Sequence, residues 1–321
     1  MPNKKLLLTD RIYGNYYISE SVLIELLRSS SILRLKNISQ FGPPERYYHI
    51  KPFSRYEHSL GVMLLLKSLG ASLEEQVAGL LHDISHTAFS HVVDWVVGSN
   101  EKENYQDKRH RKFFAGSDVK AILTKYGFDA KKVADHKYHK LLERKIPDLC
   151  ADRIDYSLRE FPTTTARKCF AGLFINKNRI VFKDKKTALL FASNFLHKQE
   201  SHWGGFEAGV RYINLARVLK MAIEKKHISF EDLSKDDDYV IKKLEAIKDG
   251  KIGRVLSILR KKNLSGIKKN TVLFKKKFRY VNPPYLNKGK IKVLSEEDRK
   301  YATTIKNASD RNKKGIKLPI I

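Results

Sequence analysis

With 321 residues and 42% hydrophobic content, the chain can bury one large core or two smaller ones, which excludes a wholly disordered protein. Its 63 Lys and Arg against 35 Asp and Glu leave a formal net charge of +28, so the long-range field favours polyanionic, phosphorylated partners. The two cysteines, Cys150 and Cys169, are too few for a disulfide framework, and no run approaches the roughly 20 apolar residues of a membrane helix.

The only apolar stretch near the start, Leu6-Leu7-Leu8, is too short for a signal-peptide h-region, so the expected location is cytoplasmic, away from membranes. Ser19-Glu20-Ser21 opens a helical run through Val22, Ile24, Leu26 and Leu27, and a second run carries Ile32, Leu33, Leu35 and Ile38. Gly42-Pro43-Pro44 breaks the chain. A helix is predicted from about Glu57 to Leu69, and Ser72-Leu73-Glu74-Glu75 reads as a capping box opening the next. Residues 98–107 read as polar loop. Pro147 stands where a first helical turn would begin, and the pattern from there to Glu160 is amphipathic. Further helices are predicted over Leu189–His197 and Gly209–Ile223. Asp236-Asp237-Asp238 marks a loop, and Thr271–Tyr280, with its string FKKKFRY, reads as a strand ahead of Asn282-Pro283-Pro284.

The chemistry concentrates in two stretches. In AGLLHDISHTAFSHVVDWV, His82, Asp83, His86, His91 and Asp94 fall within thirteen positions. Val77, Leu80 and Leu81 bring His82 and Asp83 in together where a buried helix ends. An isolated His-Asp is most often a satisfied core pair or a helix C-cap, but a metal ion held close against the helix end also explains the adjacency. In IPDLCADRIDYSLREF, Asp148, Asp152, Asp155 and Arg159 recur at spacings of 4, 3 and 4 and share one helical stripe, with Asp155 and Arg159 placed as an i,i+4 ion pair. Standing alone, that stripe reads as a solvated face.

Together with Gln40-Phe41-Gly42 and SRYEHSLGV, these motifs resemble, in order, the HD-domain metal-dependent phosphohydrolases, and among them the deoxynucleoside triphosphate triphosphohydrolases, including those that carry a sterile alpha motif. The resemblance spans roughly residues 30–160. It implies an all-α, HD-domain helical core, in agreement with the periodicities and expected over 1–230; the chain's own pattern places a soft boundary at 226–238 and, beyond it, a small basic α+β appendage over 231–321. It also implies an enzyme with one divalent transition metal ion held by His58, His82, Asp83 and Asp152, a mixed nitrogen and oxygen set suited to Mn, Fe, Zn or Ni and less natural for Mg.

The same resemblance places Arg55, Arg153 and Tyr156 against substrate phosphate, with His86 and His91 beside them. It pairs Asp94 with His110, which becomes the general acid for the leaving oxygen, although Arg111 stands where the relatives often have Glu. Gln40 and Phe41 are expected to pack the deoxyribose and Glu160, in place of the usual Asp, to read its 3′-hydroxyl. The aromatics of SHWGGFEAG could wall a base but more often pack a turn.

The expected reaction is hydrolysis of a dNTP to deoxynucleoside and triphosphate, with phosphomonoester or phosphodiester hydrolysis of another nucleotide as the alternative. Residues 251–321 hold 21 Lys and Arg against 4 Asp and Glu, net +17. Such a segment is more often a solvated basic subdomain packed on the helical core, here through Val255, Leu256, Ile258 and Leu259; with Phe274, Phe278, Tyr280 and Tyr285 interleaved it can also track a nucleic-acid backbone, which leaves a nucleic-acid-binding protein with a degenerate site as a reading from another class. The resemblance also implies a homo-oligomer.

Overall fold

The computed structural model describes residues 5–99, 103–267 and 270–321; residues 100–102 of the expected loop and the Lys268-Lys269 pair lie outside them. In chain order, a hairpin of β1 (Leu6–Asp10) and β2 (Gly14–Ile18) leads into α1 (Ser21–Leu27), α2 (Ser30–Arg34), α3 (Arg55–Ser68) and α4 (Leu73–Leu81). Next come α5 (Val92–Val96), α6 (Tyr105–Ala115), α7 (Asp118–Lys125), α8 (Ala130–Val133), α9 (Ala151–Glu160) and α10 (Thr163–Ala171), then β3 (Leu173–Asn176) and β4 (Arg179–Phe182). The remainder is α11 (Lys185–Lys198), α12 (Phe206–Glu224), α13 (Asp237–Glu245), α14 (Gly250–Leu259), β5 (Thr271–Phe274), β6 (Pro284–Asn287), β7 (Lys290–Val293), α15 (Leu294–Glu297), α16 (Arg299–Lys314) and β8 (Ile316–Pro319). The molecule is mostly helical. Among the described residues, no helix is long and apolar enough to cross a membrane.

The central helix is α3, buried from His58 through Leu66. It starts two residues before the predicted Glu57 because Ser54 caps it, its hydroxyl accepting the Glu57 amide at 3.1 Å, a contact of about 1 kcal/mol. Helix α4 packs along α3, and α9 crosses it at Gly61. A Cβ at Gly61 would collide with Asp155 Oδ1 and Arg159 Nη2, so only glycine lets α9 approach closely enough to meet His58. Ser72 caps α4 as expected, accepting the Glu75 amide at 3.2 Å. The reciprocal half of the capping box is not made. Glu75 instead accepts the amides of Leu141 at 2.6 Å and Leu142 at 3.2 Å, tying the approach to α9 onto α4. Helix α9 begins at Ala151, four residues after Pro147, so Asp148 drops off the acidic stripe.

The C-terminal region is not a separate appendage. Strands β6 and β7 extend the β3–β4 hairpin into one sheet of order β3-β4-β6-β7, with β6 parallel to β4 through Phe182 and Tyr285 and the other pairs antiparallel. Val281, Tyr285, Leu294 and Tyr301 enter the main core with α3, α4 and α9. Phe274 and Leu318 enter a second core around α12, α13 and α14. The expected boundary at 226–238 therefore runs through continuous packing. Each fully buried apolar side chain of this kind contributes about 1.5–3 kcal/mol, which favours a basic chain folding back onto the body over one standing off as a solvated domain. The predicted strand over Thr271–Tyr280 is strand only to Phe274, where its antiparallel partner β8 ends.

Candidate metal centre and cavity

His82 is the C-cap of α4 and Asp83 follows it into an irregular loop. His58 projects from α3 and Asp152 from the first turn of α9. His58 Nε2 lies 2.9 Å from Asp152 Oδ1, 3.2 Å from His82 Nε2 and 3.8 Å from Asp83 Oδ2. His82 Nε2 is 3.5 Å from both Asp83 Oδ1 and Asp152 Oδ1. His58, His82 and Asp83 form a group able to hold a metal ion, with Asp152 beside them. Both imidazoles are oriented from behind: His58 Nδ1 donates to Asp155 Oδ2 at 2.7 Å, and His82 Nδ1 donates to Gly79 O at 2.7 Å. This leaves both Nε2 atoms facing the carboxylates, the arrangement in which an outer hydrogen bond fixes the tautomer of a metal-binding histidine.

The electrostatics fit a bound cation. Burial disfavours a charged His58, yet the hydrogen bonds of Asp152 and Asp155 outweigh it and raise its pKa to about 9. Burial likewise opposes ionisation of Asp83, but Arg55 holds it well below the usual carboxylate range. The cluster concentrates negative charge in a dry place, where opposite charge is held strongly.

Asp155, on a stripe that reads as a solvated face only when taken apart from the His-Asp cluster, is a functional side chain. It is wholly buried. Oδ2 also accepts Arg159 Nε at 2.8 Å, and Oδ1 accepts the Tyr13 hydroxyl at 2.7 Å. Arg159 continues to Asp10 at 2.8 Å and Glu57 at 2.7 Å. The i,i+4 pair thus exists, as the orienting group behind His58.

The loop after Asp83 is held just as firmly. Phe89 and Ser90 adopt left-handed conformations with φ of 62° and 48°, costly for side chains with a Cβ. Asp237 over-determines them: its buried carboxylate accepts the amides of Phe89 at 2.7 Å and Ser39 at 2.8 Å. The acidic triplet is not the loop expected of it: Asp236 caps α13, and Asp237 and Asp238 form its first turn. Ser90 in turn accepts Arg55 Nε at 2.9 Å, while Arg55 Nη1 donates to Asp83 Oδ2 at 2.6 Å. Arg55 therefore lines the cavity while steadying Asp83.

The Asp94–His110 pair is not formed. Asp94 Oδ2 sits 3.0 Å from His91 Nδ1, and its Oδ1 accepts the Ser99 hydroxyl and the Tyr105 amide. His110, one helix further, contacts Ser85 Oγ at 3.0 Å and lies against Phe114 and His136. Burial and the neighbouring His136 push its pKa down to about 3. The physical reason is that the Asp94 carboxylate, on α5, is already taken by His91, Ser99 and Tyr105, while α6 presents His110 to Ser85 and His136. His86 lies 3.3 Å from Asp83 Oδ1, and burial together with Arg55 lowers its pKa to about 3.

A cavity of about 690 Å³ opens beside this cluster. Gln40, Phe41, Arg55, His86, His91, Arg153, Tyr156 and Glu160 all line it with His82, Asp83 and Asp152, whereas His110 and Asp94 do not. Gln40 Oε1 is buried without a partner. The Phe41 ring meets His202 edge-on at 4.6 Å. Glu160 accepts His202 Nδ1 and Trp203 Nε1, each at 2.6 Å, so His202 and Trp203 of SHWGGFEAG wall the cavity through a π-helical turn rather than pack a simple turn. Arg153 reaches the cavity, but its guanidinium donates to the carbonyls of Asp148 at 2.6 Å and Arg144 at 3.1 Å and chiefly braces the loop before α9. Glu143, in that loop, is raised to about 7 by burial and the nearby Asp152.

The string FKKKFRY does not form an outward track. Phe274 is buried and stacked on Trp95 at 5.2 Å, while Lys276, Lys277 and Arg279 line the cavity. Phe278 and Tyr280 stack on each other at 5.7 Å.

The fold is mostly helical and sets a His/Asp cluster able to hold a metal ion at a buried helix end, beside a cavity rich in cations. Residues 55–160 match the HD domain family. The chain is 36% identical to the uncharacterized protein YdhJ of Bacillus subtilis, over 98% of this chain and 99% of that one. It is 31% identical to the metal-dependent phosphohydrolase cns2 of Cordyceps militaris, over 69% of this chain and 68% of that one. A hypothetical protein from Aquifex aeolicus shares the fold with a TM-score of 0.70 at 19% identity, over 93% of each chain. A shorter match, 29% identical, covers 29% of this chain and 17% of the deoxynucleoside triphosphate triphosphohydrolase SAMHD1 of Xenopus laevis. The chain belongs to the HD-domain metal-dependent phosphohydrolases.

Proposed function

We propose that this enzyme hydrolyses deoxynucleoside triphosphates to deoxynucleoside and inorganic triphosphate, with one divalent transition ion held by His58, His82, Asp83 and Asp152. The observation that carries the reading is the junction of that cluster with a single cavity whose walls combine cations for phosphate with Gln40, Phe41, Tyr156, Glu160, His202 and Trp203 for a nucleoside. The distant likeness to a dNTP triphosphohydrolase supports it.

When bound, the ion supplies Lewis acidity to a phosphoryl oxygen and to the attacking water. Asp155 and Gly79 hold the two imidazoles in the tautomer that offers Nε2 inward. Arg55, locked by Asp83 and Ser90, contributes a fixed positive charge where phosphate charge builds up. His91, backed by Asp94 at 3.0 Å, replaces His110 as the group that delivers a proton to the leaving 5′-oxygen. With Nδ1 engaged by Asp94, Nε2 is the ring atom left to serve as donor. His86 stays neutral at ordinary pH and serves as a hydrogen-bonding partner. The unpartnered Gln40 Oε1 accepts from a sugar hydroxyl, and Phe41 packs the ring face.

Incubation of metal-supplemented protein with each dNTP, followed by 31P NMR of the products, tests the reading. Inorganic triphosphate is the expected product. Orthophosphate or pyrophosphate in its place sinks the proposed bond specificity and favours hydrolysis at another phosphorus.

A further inference from the structure

The chain between β5 and β6 crosses the cavity as a strap whose course is fixed at several points. Phe274 anchors its start against Trp95 and Gly209, where a Cβ would press on the Phe274 ring at 3.0 Å. Asn312 Nδ2, in the last turn of α16, donates to Lys276 O at 3.0 Å. At the far end Val281 O accepts the Tyr301 hydroxyl at 2.7 Å, and the Asn282 amide donates to Pro147 O at 3.0 Å. Arg279 ties the middle to Glu103, which lies between Ser99 and Tyr105, two residues that Asp94 holds. A basic segment held this rigidly holds its cations in place without further ordering cost when an anion arrives.

The strap's charge is unbalanced on the cavity side. Arg279 is matched by Glu103, but among the described residues neither Lys276 nor Lys277 forms an ion pair with a carboxylate. Lys276 lies over the Tyr212 ring with its ammonium 4.2 Å from the ring centroid, an aromatic support that aims the ammonium without neutralising it. In the metal cluster the carboxylates of Asp83 and Asp152 would offset a divalent ion, Arg55, itself paired with Asp83, supplies one fixed charge, and Arg153 is engaged by backbone carbonyls. The charge of a phosphate chain longer than one unit must therefore be met elsewhere on the wall.

We propose that the strap is the phosphate-chain wall of the cavity, with Lys276 and Lys277 binding phosphate oxygens and the Arg279–Glu103 pair positioning them, so that the site selects a polyphosphate over a monophosphate. This deepens the dNTP reading and rests on it for the nucleotide, while the anion preference itself stands on the strap.

Isothermal titration of the full-length protein as purified, with inorganic tripolyphosphate and with orthophosphate, separates the two. Tripolyphosphate binds at least tenfold more tightly than orthophosphate to the intact protein. Lys276→Met and Lys277→Gln each weaken tripolyphosphate about tenfold, the scale of one lost charge-assisted hydrogen bond, and change orthophosphate less than twofold. Lys275→Gln, a neighbouring exposed lysine off the cavity, removes the same unit of charge and leaves both affinities unchanged. Because Lys277 is exposed, its variant folds whatever Lys276→Met does. No tripolyphosphate preference in the intact protein, or unchanged affinity in both strap variants, overturns the proposal. Loss of tripolyphosphate binding in the variants from a protein that releases no triphosphate from dNTPs would uphold the strap and reject the nucleotide reading.

Discussion

Replacing Asp155 by Asn tests whether the cluster depends on the group behind it. The carboxylate faces three donors: His58 Nδ1 at 2.7 Å, Arg159 Nε at 2.8 Å and the Tyr13 hydroxyl at 2.7 Å. Only the hydroxyl can turn to accept, so an Asn amide settles with its NH2 towards Tyr13 and its oxygen towards His58 and Arg159. The hydrogen bonds survive in geometry but lose their charge. Charge-assisted bonds contribute about 1.5–3 kcal/mol against about 1 for neutral ones, and Arg159 keeps Asp10 and Glu57, so the expected destabilisation is about 1–3 kcal/mol. Asp155→Ala instead leaves buried donors unpaired and costs about 3–5 kcal/mol, the range for breaking a buried ion pair. At the ligand, loss of an orienting carboxylate lowers metal affinity by about 10- to 100-fold, or about 1.4–2.8 kcal/mol. Competition with a chromophoric chelator for Mn2+ or Ni2+ measures the affinity, and urea unfolding measures the stability. An Asn variant that folds normally and binds metal within twofold of the parent would refute the argument, because the charge of the Asp155 carboxylate would then contribute nothing to His58 as a ligand.

The exchange of roles between two histidines gives a second expectation: His91→Asn lowers kcat by roughly a hundredfold or more with metal content intact, whereas His110→Asn changes kcat far less and mainly lowers stability; equal losses would return His110 to the chemistry. Burial pulls the Lys276 ammonium down to about 8 among Glu103, Arg279, Glu160 and Asp94, so it is charged below pH 8 and neutral above, and tripolyphosphate affinity should fall as pH rises through 8. Lys276→Arg, charged throughout, should flatten that profile; a profile identical to the parent's would show that Lys276 does not carry the effect. If Gln40, Phe41 and Glu160 enclose a deoxyribose, kcat/KM for a dNTP exceeds that for the matching NTP, and Gln40→Ala narrows the gap; parity between the two sugars in the parent protein rejects the enclosure.

The local chemistry was legible in the chain because it depends on short-range geometry. Val77, Leu80 and Leu81 bury α4 and carry His82 and Asp83 inward at its end, and the spacing of Asp152, Asp155 and Arg159 places all three on α9. Helical periodicity fixes such relations within a few residues, whatever the rest of the chain does. It says nothing about whether a stripe faces water or a neighbouring helix. Asp155 became a buried orienting group only because Gly61 admits α9 against α3, and Asp237 became a clamp on the Phe89–Ser90 loop only because α13 docks across it. The partners of Asp94 were settled by where α5 and α6 pack, and the direction of Lys276 and Lys277 by the docking of Phe274, Val281 and α16 on two separate cores. Composition marked residues 251–321 as basic, but whether a lysine there meets solvent or substrate is decided by packing between segments far apart in the chain, where no sequence period reaches.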